Sequence, residues 1–162
     1  MSNFSKTNKI KWAIKKYNEL NLDELYEILK IRVDIFIIEQ ECFYQDLDDK
    51  DKVSFHLMGI DINTNKMIAY LRILPPSVSY KEPSIGRVVT VKSYRKMKLG
   101  KELMFNGIKF IENKYKNQGI RISGQKYLEV FYNNLGFKTV SDVYLEDGIE
   151  HVEMFKEGKC YQ

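Results

Sequence analysis

The sequence predicts a mixed α/β fold in a single domain. Three observations lead to this class. The chain has 162 residues, of which 44% are hydrophobic, and this is enough to bury a core without disulfides or metal ions. Apolar residues alternate with polar ones in some segments and recur at helical spacing in others. No internal repeat or low-complexity linker separates these segments, so residues 1–162 are expected to form one domain.

Seven strands are predicted from apolar, β-prone segments. The first covers residues 9–15, where polar and apolar residues alternate, and it follows a short tail over residues 1–8. The polar residues 63–66 predict a hairpin between the second and third strands. Asp147-Gly148 is a strong hairpin signal between the last two. The later strands are expected over residues 55–62, 67–74, 84–91, 120–123, 138–145 and 149–155.

Three helices are predicted between these strands. Asn21 is expected to cap the first helix with Glu24 as its capping partner, and helical spacing then continues to about Ile37. The second helix begins at about residue 98 and ends at Gly119, a predicted C-terminal cap. The third covers about residues 125–134. The apolar stripe of the second helix consists of Leu99, Leu103, Met104, Ile108, Ile111 and Tyr115.

The composition indicates the cellular compartment and the class of binding partner that the protein is expected to have. The formal charge is +4, but acidic and basic residues are interspersed and nearly balanced, which does not favour nucleic acid as a partner. The only cysteines are Cys42 and Cys160, and no N-terminal apolar segment has the length of a signal peptide or a membrane span. A reduced, cytoplasmic protein without a membrane partner is therefore expected.

The most informative segment covers residues 85–101, where a strand leads into a basic turn and then a helix. Helix N-termini bind phosphate because their first N–H groups are unpaired and the macrodipole is positive there. Gly100 would let a ligand approach the backbone, and Arg95, Lys96, Lys98 and Lys101 add positive charge. The alternative is a solvated helix start, because charge clusters usually lie on the surface.

Several other kinds of catalytic or metal-binding site are excluded because their sequence motifs are absent. Gly100-Lys101 is followed by Glu102, so there is no P-loop, and no dinucleotide-binding, nucleophile-elbow or zinc-protease motif occurs. Two cysteines exclude a zinc ribbon. The long loop over residues 39–51 is rich in aspartate, but a calcium loop that starts at Asp46 would need glycine at position 51 and glutamate at position 57. Aspartate and leucine stand there, so no metal site is predicted.

Taken together, these motifs resemble the GNAT superfamily of acetyl-CoA-dependent N-acetyltransferases. The strand that ends in Val-Val-Thr-Val is followed by Arg95-x-x-Lys98-x-Gly100 and later by Phe131-Tyr132-x-x-Leu135-Gly136-Phe137. More narrowly, the chain is similar to the ElaA-like branch of that superfamily over about residues 10–156. The segments that carry this narrower resemblance are residues 35–42, 44–48, 56–57, 85–89 and 146–151.

The resemblance implies a twisted, mostly antiparallel sheet of six to seven strands flanked by helices, with acetyl-CoA as cosubstrate. Backbone groups of Val88, Val89 and Thr90 are then expected to pair with the pantetheine arm as an added strand; otherwise they form an ordinary core strand. Lys98 replaces the first glycine of the usual turn, which limits positive φ there. The implied cofactor-binding residues also include Arg95, Lys96, Met97, Leu99, Gly100, Lys101 and Gln125.

Acetyl transfer to an amine needs a proton donor for the departing thiolate and a base for the amine. Tyr132 stands where related enzymes often carry the tyrosine that acts as general acid; the alternative is an aromatic pair with Phe131. Candidate bases are Glu39 and the two histidines. Each has a structural alternative, because His56 and His151 are also consistent with ordinary core or surface histidines, and Glu39 with a helix-end contact.

The acceptor side is predicted to involve Glu39, Gln40, Arg72, Arg87 and His151. Arg72 and Arg87 either recognise a substrate carboxylate or pair with the loop aspartates. The acidic loop favours a cationic acceptor. The predicted function is acetyl transfer to a primary amine of a small molecule or peptide, by direct attack in a ternary complex. The alternative is a catalytically silent acetyl-CoA-binding module, and the resemblance also implies a possible homodimer.

Overall fold

A computed structural model of the protein describes residues 9–159 and confirms the mixed α/β class. The predicted tail over residues 1–8 and Cys160 lie outside the described residues. One eight-stranded sheet runs through the molecule in the order β1-β2-β3-β4-β5-β8-β6, and β7 also pairs with β8. The strands are β1 Ile10–Lys16, β2 Phe55–Asp61, β3 Lys66–Leu74, β4 Ser84–Thr90, β5 Ile120–Gln125, β6 Lys138–Thr139, β7 Tyr144–Glu146 and β8 Ile149–Lys156.

The sheet has one more strand than the six to seven implied by the resemblance. The segment predicted as a single strand over residues 138–145 is divided into β6 and β7, and both pair with β8. The hairpin signal before β8 is confirmed, because Glu146 pairs with Ile149 across Asp147 and Gly148. Both turn residues have positive φ, 51° and 80°, as a type I′ turn requires.

The helices are α1 (Leu22–Arg32), α2 (Leu99–Lys114) and the short α3 (Glu129–Asn133). The predicted capping box is present: the Glu24 amide donates to Asn21 Oδ1 at 2.8 Å, and the Asn21 amide donates to Glu24 Oε2 at 3.1 Å. Instead of one long third helix, a 3₁₀ turn over Lys126–Leu128 leads into α3. Further 3₁₀ turns cover Tyr17–Glu19, Lys50–Val53 and Lys92–Met97.

The first helix does not end at Ile37 but continues as a π-helix over Val33–Glu39. Its last bond runs from the Gln40 amide to the Ile35 carbonyl, five residues earlier. Such π segments are frequent at functional sites because they shift the side chains that follow. Here Glu39 and Gln40 stand at the end of the π-helix, and both line the cavity described below.

Two apolar clusters hold the helices against the sheet. In the larger one, Leu99, Leu103, Met104 and Ile111 of α2 lie with buried side chains of β2, β3, β4, β5 and β8. In the smaller one, Ile28 and Ile31 of α1 lie with Met58, Tyr70 and Val89. Within residues 9–159, no helix is long and apolar enough to cross a membrane.

The sheet is interrupted between its two parallel strands. β4 and β5 pair only at Ser84 and Arg121, whereas the neighbouring strand pairs are antiparallel and extensively paired. β4 also contains a bulge, because its register with β3 shifts between the partners of Tyr70 and Arg72, and Arg87 has a φ of 51°. One edge of β4 therefore faces a gap in the sheet rather than another strand.

Candidate active site

A cavity of about 750 Å³ fills the gap between β4 and β5. This volume lies in the range that holds small-molecule ligands. Its walls come from β4, β5, α3, the end of the π-helix, the loop before β2, the loop between β3 and β4, and the β7–β8 hairpin. The predicted site residues that line it are Glu39, Gln40, Arg72, Arg87, Val88, Val89, Thr90, Arg95, Gln125, Tyr132 and His151.

The open edge of β4 provides an extended backbone surface along the cavity. Val88 packs against the larger apolar cluster, while Val89 is 3% exposed and packs in the smaller one on the opposite face. Their backbone groups therefore remain at the edge, as strand alternation requires. The Thr90 carbonyl accepts a hydrogen bond from Arg95 Nε at 3.0 Å. This edge is available for pairing with an extended ligand.

Of the predicted phosphate-binding turn, Arg95 lines the cavity, whereas residues 97–101 lie beside one end of it. A Cβ on Gly100 would approach Phe131 Cζ at 3.8 Å and Thr90 Cγ2 at 4.0 Å, and both of these residues line the cavity. The Lys101 and Glu102 amides donate to the Lys98 carbonyl at 3.0 and 3.2 Å. Helix geometry then leaves the amides of the first two residues of α2 as free donors.

Lys98 adopts the left-handed conformation, with φ of 57° and ψ of 14°. Lysine in place of glycine was expected to limit positive φ at this turn, and Lys98 nonetheless adopts it. A left-handed conformation costs a residue other than glycine about 1 to 2 kcal/mol. The backbone of the turn is therefore preserved at an energetic cost.

Tyr132 projects from α3 into the wall of the cavity and is 6% exposed. Its ring packs edge-on against Phe131 and Phe137, with centroid distances of 5.2 and 6.2 Å. Gly124 leaves room for it, because a Cβ there would lie 3.1 Å from the tyrosine ring. Within residues 9–159 its hydroxyl has no hydrogen-bond partner, and burial, with a smaller effect of Tyr127, raises the pKa of Tyr132 to about 12. The phenol is thus protonated at neutral pH.

Two side-chain pairs link the end of the π-helix to the other side of the cavity. Arg95 Nη1 donates to Glu39 Oε1, and Gln125 Nε2 donates to Gln40 Oε1 at 3.3 Å. Two residues predicted for separate roles, Glu39 as a base and Arg95 for the cofactor, therefore bind each other. The Glu39 carboxylate accordingly already has a cationic partner.

His56 does not lie in the cavity, and this corrects its prediction as a candidate base. It is 0% exposed, and both ring nitrogens are engaged: Nε2 lies 3.0 Å from the Asp51 carbonyl, and Nδ1 lies 2.8 Å from the Tyr70 hydroxyl. Burial lowers the pKa of His56, so the ring is neutral at physiological pH. It is a satisfied core histidine.

His151 lines the cavity and keeps one ring nitrogen free. Its Nδ1 lies 2.8 Å from the Ile149 carbonyl, and because a carbonyl only accepts, Nδ1 carries the hydrogen. In the neutral ring, Nε2 then has a lone pair, and the described part of the chain offers it no hydrogen bond. The ring stacks on Tyr144 at a centroid distance of 6.1 Å, which fixes its plane. Of the two histidines, this one has the geometry of a base.

The loop aspartates pair with Arg72 and Arg87, which is one of the two alternatives that the sequence left open for these arginines. Arg72 binds both oxygens of Asp48 at 2.7 Å. Arg87 Nε binds Asp46 at 2.7 Å. The buried Arg32, which the sequence analysis missed, binds Asp46 at 2.9 Å and joins Arg72 on Asp51. We call these six residues the ion-pair network: Arg32, Asp46, Asp48, Asp51, Arg72 and Arg87.

The ion-pair network also shows why the acidic loop argues less for a cationic acceptor than its composition suggests. Three carboxylates face three guanidinium groups, so the network as a whole is neutral. Burial by itself would raise the pKa of Asp48, but the hydrogen bonds and charge of Arg72 lower it to about 2. Asp48 is therefore ionised at neutral pH, and all three carboxylates of the network are already paired.

Stability should depend on Asp48 in a defined pH window. Because its pKa is lowered on folding from about 3.9, its stabilising effect is present above pH 4 and is lost as pH falls towards 2. Asp48→Asn is expected to lower the free energy of unfolding by about 1 to 2 kcal/mol at pH 7. The deficit should shrink towards pH 2 in urea unfolding curves.

Asp49→Asn is the matched control for this measurement, because its side chain is 86% exposed and pairs with Lys52 at the surface. It should change the free energy by no more than about 0.5 kcal/mol at any pH. A deficit of Asp48→Asn that stays constant from pH 7 to pH 2 would contradict the assignment.

Several cavity residues had no predicted role. Lys50, Ser79, Tyr80, Glu146 and Asp147 all line it. The hairpin signal placed Asp147 in a turn, but local patterns do not show which turn reaches the cavity. Among residues 9–159, no group of three or more His, Cys, Asp or Glu side chains is arranged to hold a metal ion.

The fold and the site together define a class. A sheet that opens between two parallel strands, a tyrosine at the opening and a helix start beside it form the core of a GNAT-type acyltransferase domain. A family model described as "Acetyltransferase (GNAT) domain" matches residues 30–158. The chain is 38% identical to a UPF0039 protein of Synechocystis over 90% of its length and 94% of that protein.

Solved structures agree with this class. The crystal structure of Escherichia coli ElaA is similar with a TM-score of 0.86 and 32% identity, over 92% of this chain and 100% of that one. An acyl-CoA N-acyltransferase from Pseudomonas aeruginosa is similar with a TM-score of 0.86 and 35% identity, over 91% of this chain and 99% of that one. The chain therefore belongs to the ElaA-like branch of the GNAT acetyltransferase family.

Proposed function

We propose that this protein is an N-acetyltransferase that moves an acetyl group from acetyl-CoA to a primary amine by direct attack in a ternary complex. The observation that carries the proposal is the cavity between β4 and β5, which Tyr132 lines from α3 and which ends beside the start of α2. A cytoplasmic setting belongs to the same proposal, on the sequence evidence given above.

The residues around the cavity fit an acyl-CoA cosubstrate. The free edge of β4 at Val88 and Val89 suits the extended pantetheine arm, whose amides can pair with it as a strand does. The free amides of Leu99 and Gly100, with the positive end of α2, suit the pyrophosphate. Lys98 and Lys101 add charge at that end.

When bound, the thioester supplies an activated acyl carbonyl, whose C–S bond breaks as a C–N bond to the acceptor forms and leaves the electron pair on sulfur. Tyr132 donates its phenolic proton to that sulfur and regains one from solvent. His151 Nε2 accepts the proton that the amine nitrogen loses. The open edge of β4 holds the reacting carbonyl in place through its backbone donors.

His151 is favoured over Glu39 as the base for a geometric reason. The Glu39 carboxylate is already bound by Arg95 Nη1. The Nε2 of His151 has no such competitor in the described residues.

The alternative, a silent acetyl-CoA-binding module, is separated from the enzyme by one assay. Release of free CoA thiol is followed with acetyl-CoA and a panel of polyamines, amino acids, peptides and aminoglycosides. Acceptor-dependent release supports the enzyme. Binding of acetyl-CoA without release from any acceptor supports the module, and the absence of acetyl-CoA binding refutes both.

Tyr132→Phe should lower kcat by about 10- to 100-fold with little change in the KM for acetyl-CoA. General acid catalysis is worth about 10²- to 10⁴-fold, and the lower part of the range is expected because a thiol is already a good leaving group. Steady-state kinetics with a saturating amine measure the effect. Tyr26→Phe, on the exposed face of α1, is the control and should leave kcat unchanged. Equal activity of the two variants would remove Tyr132 as the acid.

A further inference from the structure

We infer that the acceptor amine also carries a carboxylate, so that the substrates are amino acids or short peptides with a free C-terminus. This inference rests on the proposed function and names its acceptor class. The residues that carry it are Lys50 and Ser79, which lie together on the wall of the cavity.

Lys50 is a cavity-lining cation that does not take part in the ion-pair network. Its Nζ donates to Ser79 Oγ at 2.9 Å, and among the described residues it has no carboxylate within ion-pair distance. The neighbouring Asp48 is already bound by Arg72 through both oxygens. Lys50 and Ser79 together can therefore donate to an anionic ligand group without breaking an existing ion pair.

A second donor at this wall is unsatisfied. Arg72 is 2% exposed and lines the cavity, and its Nε is fully buried without a hydrogen-bond partner in the described part of the chain. Buried donors without a partner are uncommon because they lose their bond to water and gain nothing in return. Within the described residues, Arg72 Nε is therefore a donor of this wall that no protein group satisfies.

The hairpin wall has the opposite charge. Glu146 and Asp147 line the cavity, and within residues 9–159 neither forms a salt bridge; Glu146 accepts only from Ser123 Oγ at 2.7 Å. Both walls face the same cavity. We therefore place the ammonium group of the acceptor beside Glu146 and its carboxylate beside Lys50.

The test compares amino acids with their carboxamides, which keep the amine and side chain but lose the negative charge. Wild-type protein should acetylate the acids with a kcat/KM at least 10-fold above that of the matched amides, in the CoA-release assay. Lys50→Met should lower kcat/KM for the acids at least 10-fold and leave the values for the amides and the KM for acetyl-CoA unchanged. The inference would be overturned if the amides were used as well as the acids, or if Lys50→Met kept the preference for acids.

Lys52→Met is the matched control, because Lys52 is an exposed lysine two residues away that binds Asp49 and does not line the cavity. It should keep the preference for acids. Calorimetric binding of the same acid and amide pairs to the CoA-loaded protein provides a second measurement. Tighter binding of acids without any CoA release refutes the proposed function but supports the inference; equal binding, or none, refutes the inference.

Discussion

Replacing Arg32 with methionine is expected to lower the free energy of unfolding by about 3 to 5 kcal/mol. Arg32 is 0% exposed and donates to Asp46 through Nε at 2.9 Å and to Asp51 through Nη1 at 2.8 Å. Without it, the three carboxylates of the network, of which Asp46 and Asp51 are buried, would face two guanidinium groups. The cost arises from the carboxylate that is left without compensation, because a buried charge without a partner has lost its hydration.

Urea unfolding at neutral pH measures this effect. Lys30→Met is the matched control. Lys30 lies on the same helix, but it is half-exposed, and its Nζ is as far as 3.9 Å from Glu27 Oε1. Exposed pairs of this kind contribute at most about 1 kcal/mol. If both variants lost the same stability, the ion-pair network would not be the source of the effect.

The ion-pair network also links stability to the site. Arg87 is the bulged residue of β4, and its guanidinium stacks on Tyr44 at 5.2 Å from the ring centroid while it binds Asp46. Bulges of this kind redirect the strand and its side chains. Arg32, through Asp46, therefore supports the position of the strand edge on which the acyl donor is proposed to bind.

Most of the fold follows from local sequence patterns. The strands and the capping box at Asn21 are local features, and the hairpin at Asp147-Gly148 requires positive φ, which its residues tolerate. The π-helix after Arg32 could not be predicted, because apolar spacing over residues 33–37 fits both helix types.

The site was predictable only where a motif marks it. Tyr132 and the start of α2 lie at the cavity, as the motif positions suggested. The partners of Arg72 and Arg87 were not predictable, because these arginines bind aspartates that are 21 to 41 residues earlier in the chain. Charge alone made the loop look acidic, whereas folding brings three arginines to it. Lys50 is one of 26 lysines and arginines, and the sequence could not single it out because its place in the cavity depends on folding.

His151 provides the second large expected effect. His151 lines the cavity; its Nδ1 hydrogen is held by the Ile149 carbonyl and its ring plane by Tyr144, so Nε2 is the acceptor of the neutral ring. Fixing the tautomer in this way is what a general base requires. Glutamine at this position keeps a polar group of similar reach but cannot accept a proton at physiological pH.

His151→Gln should therefore lower kcat/KM for the amine by about 10²- to 10⁴-fold, the usual contribution of a general base. The KM for acetyl-CoA should not change. Because solvent deprotonates more of the amine as pH rises, the deficit should shrink at high pH, which a purely structural role would not produce. Glu150→Gln, exposed on the same strand and outside the cavity, should behave as wild type. If Glu39→Gln instead produced the large, pH-dependent loss and His151→Gln did not, the base would be Glu39, and its pairing with Arg95 would have to open during turnover.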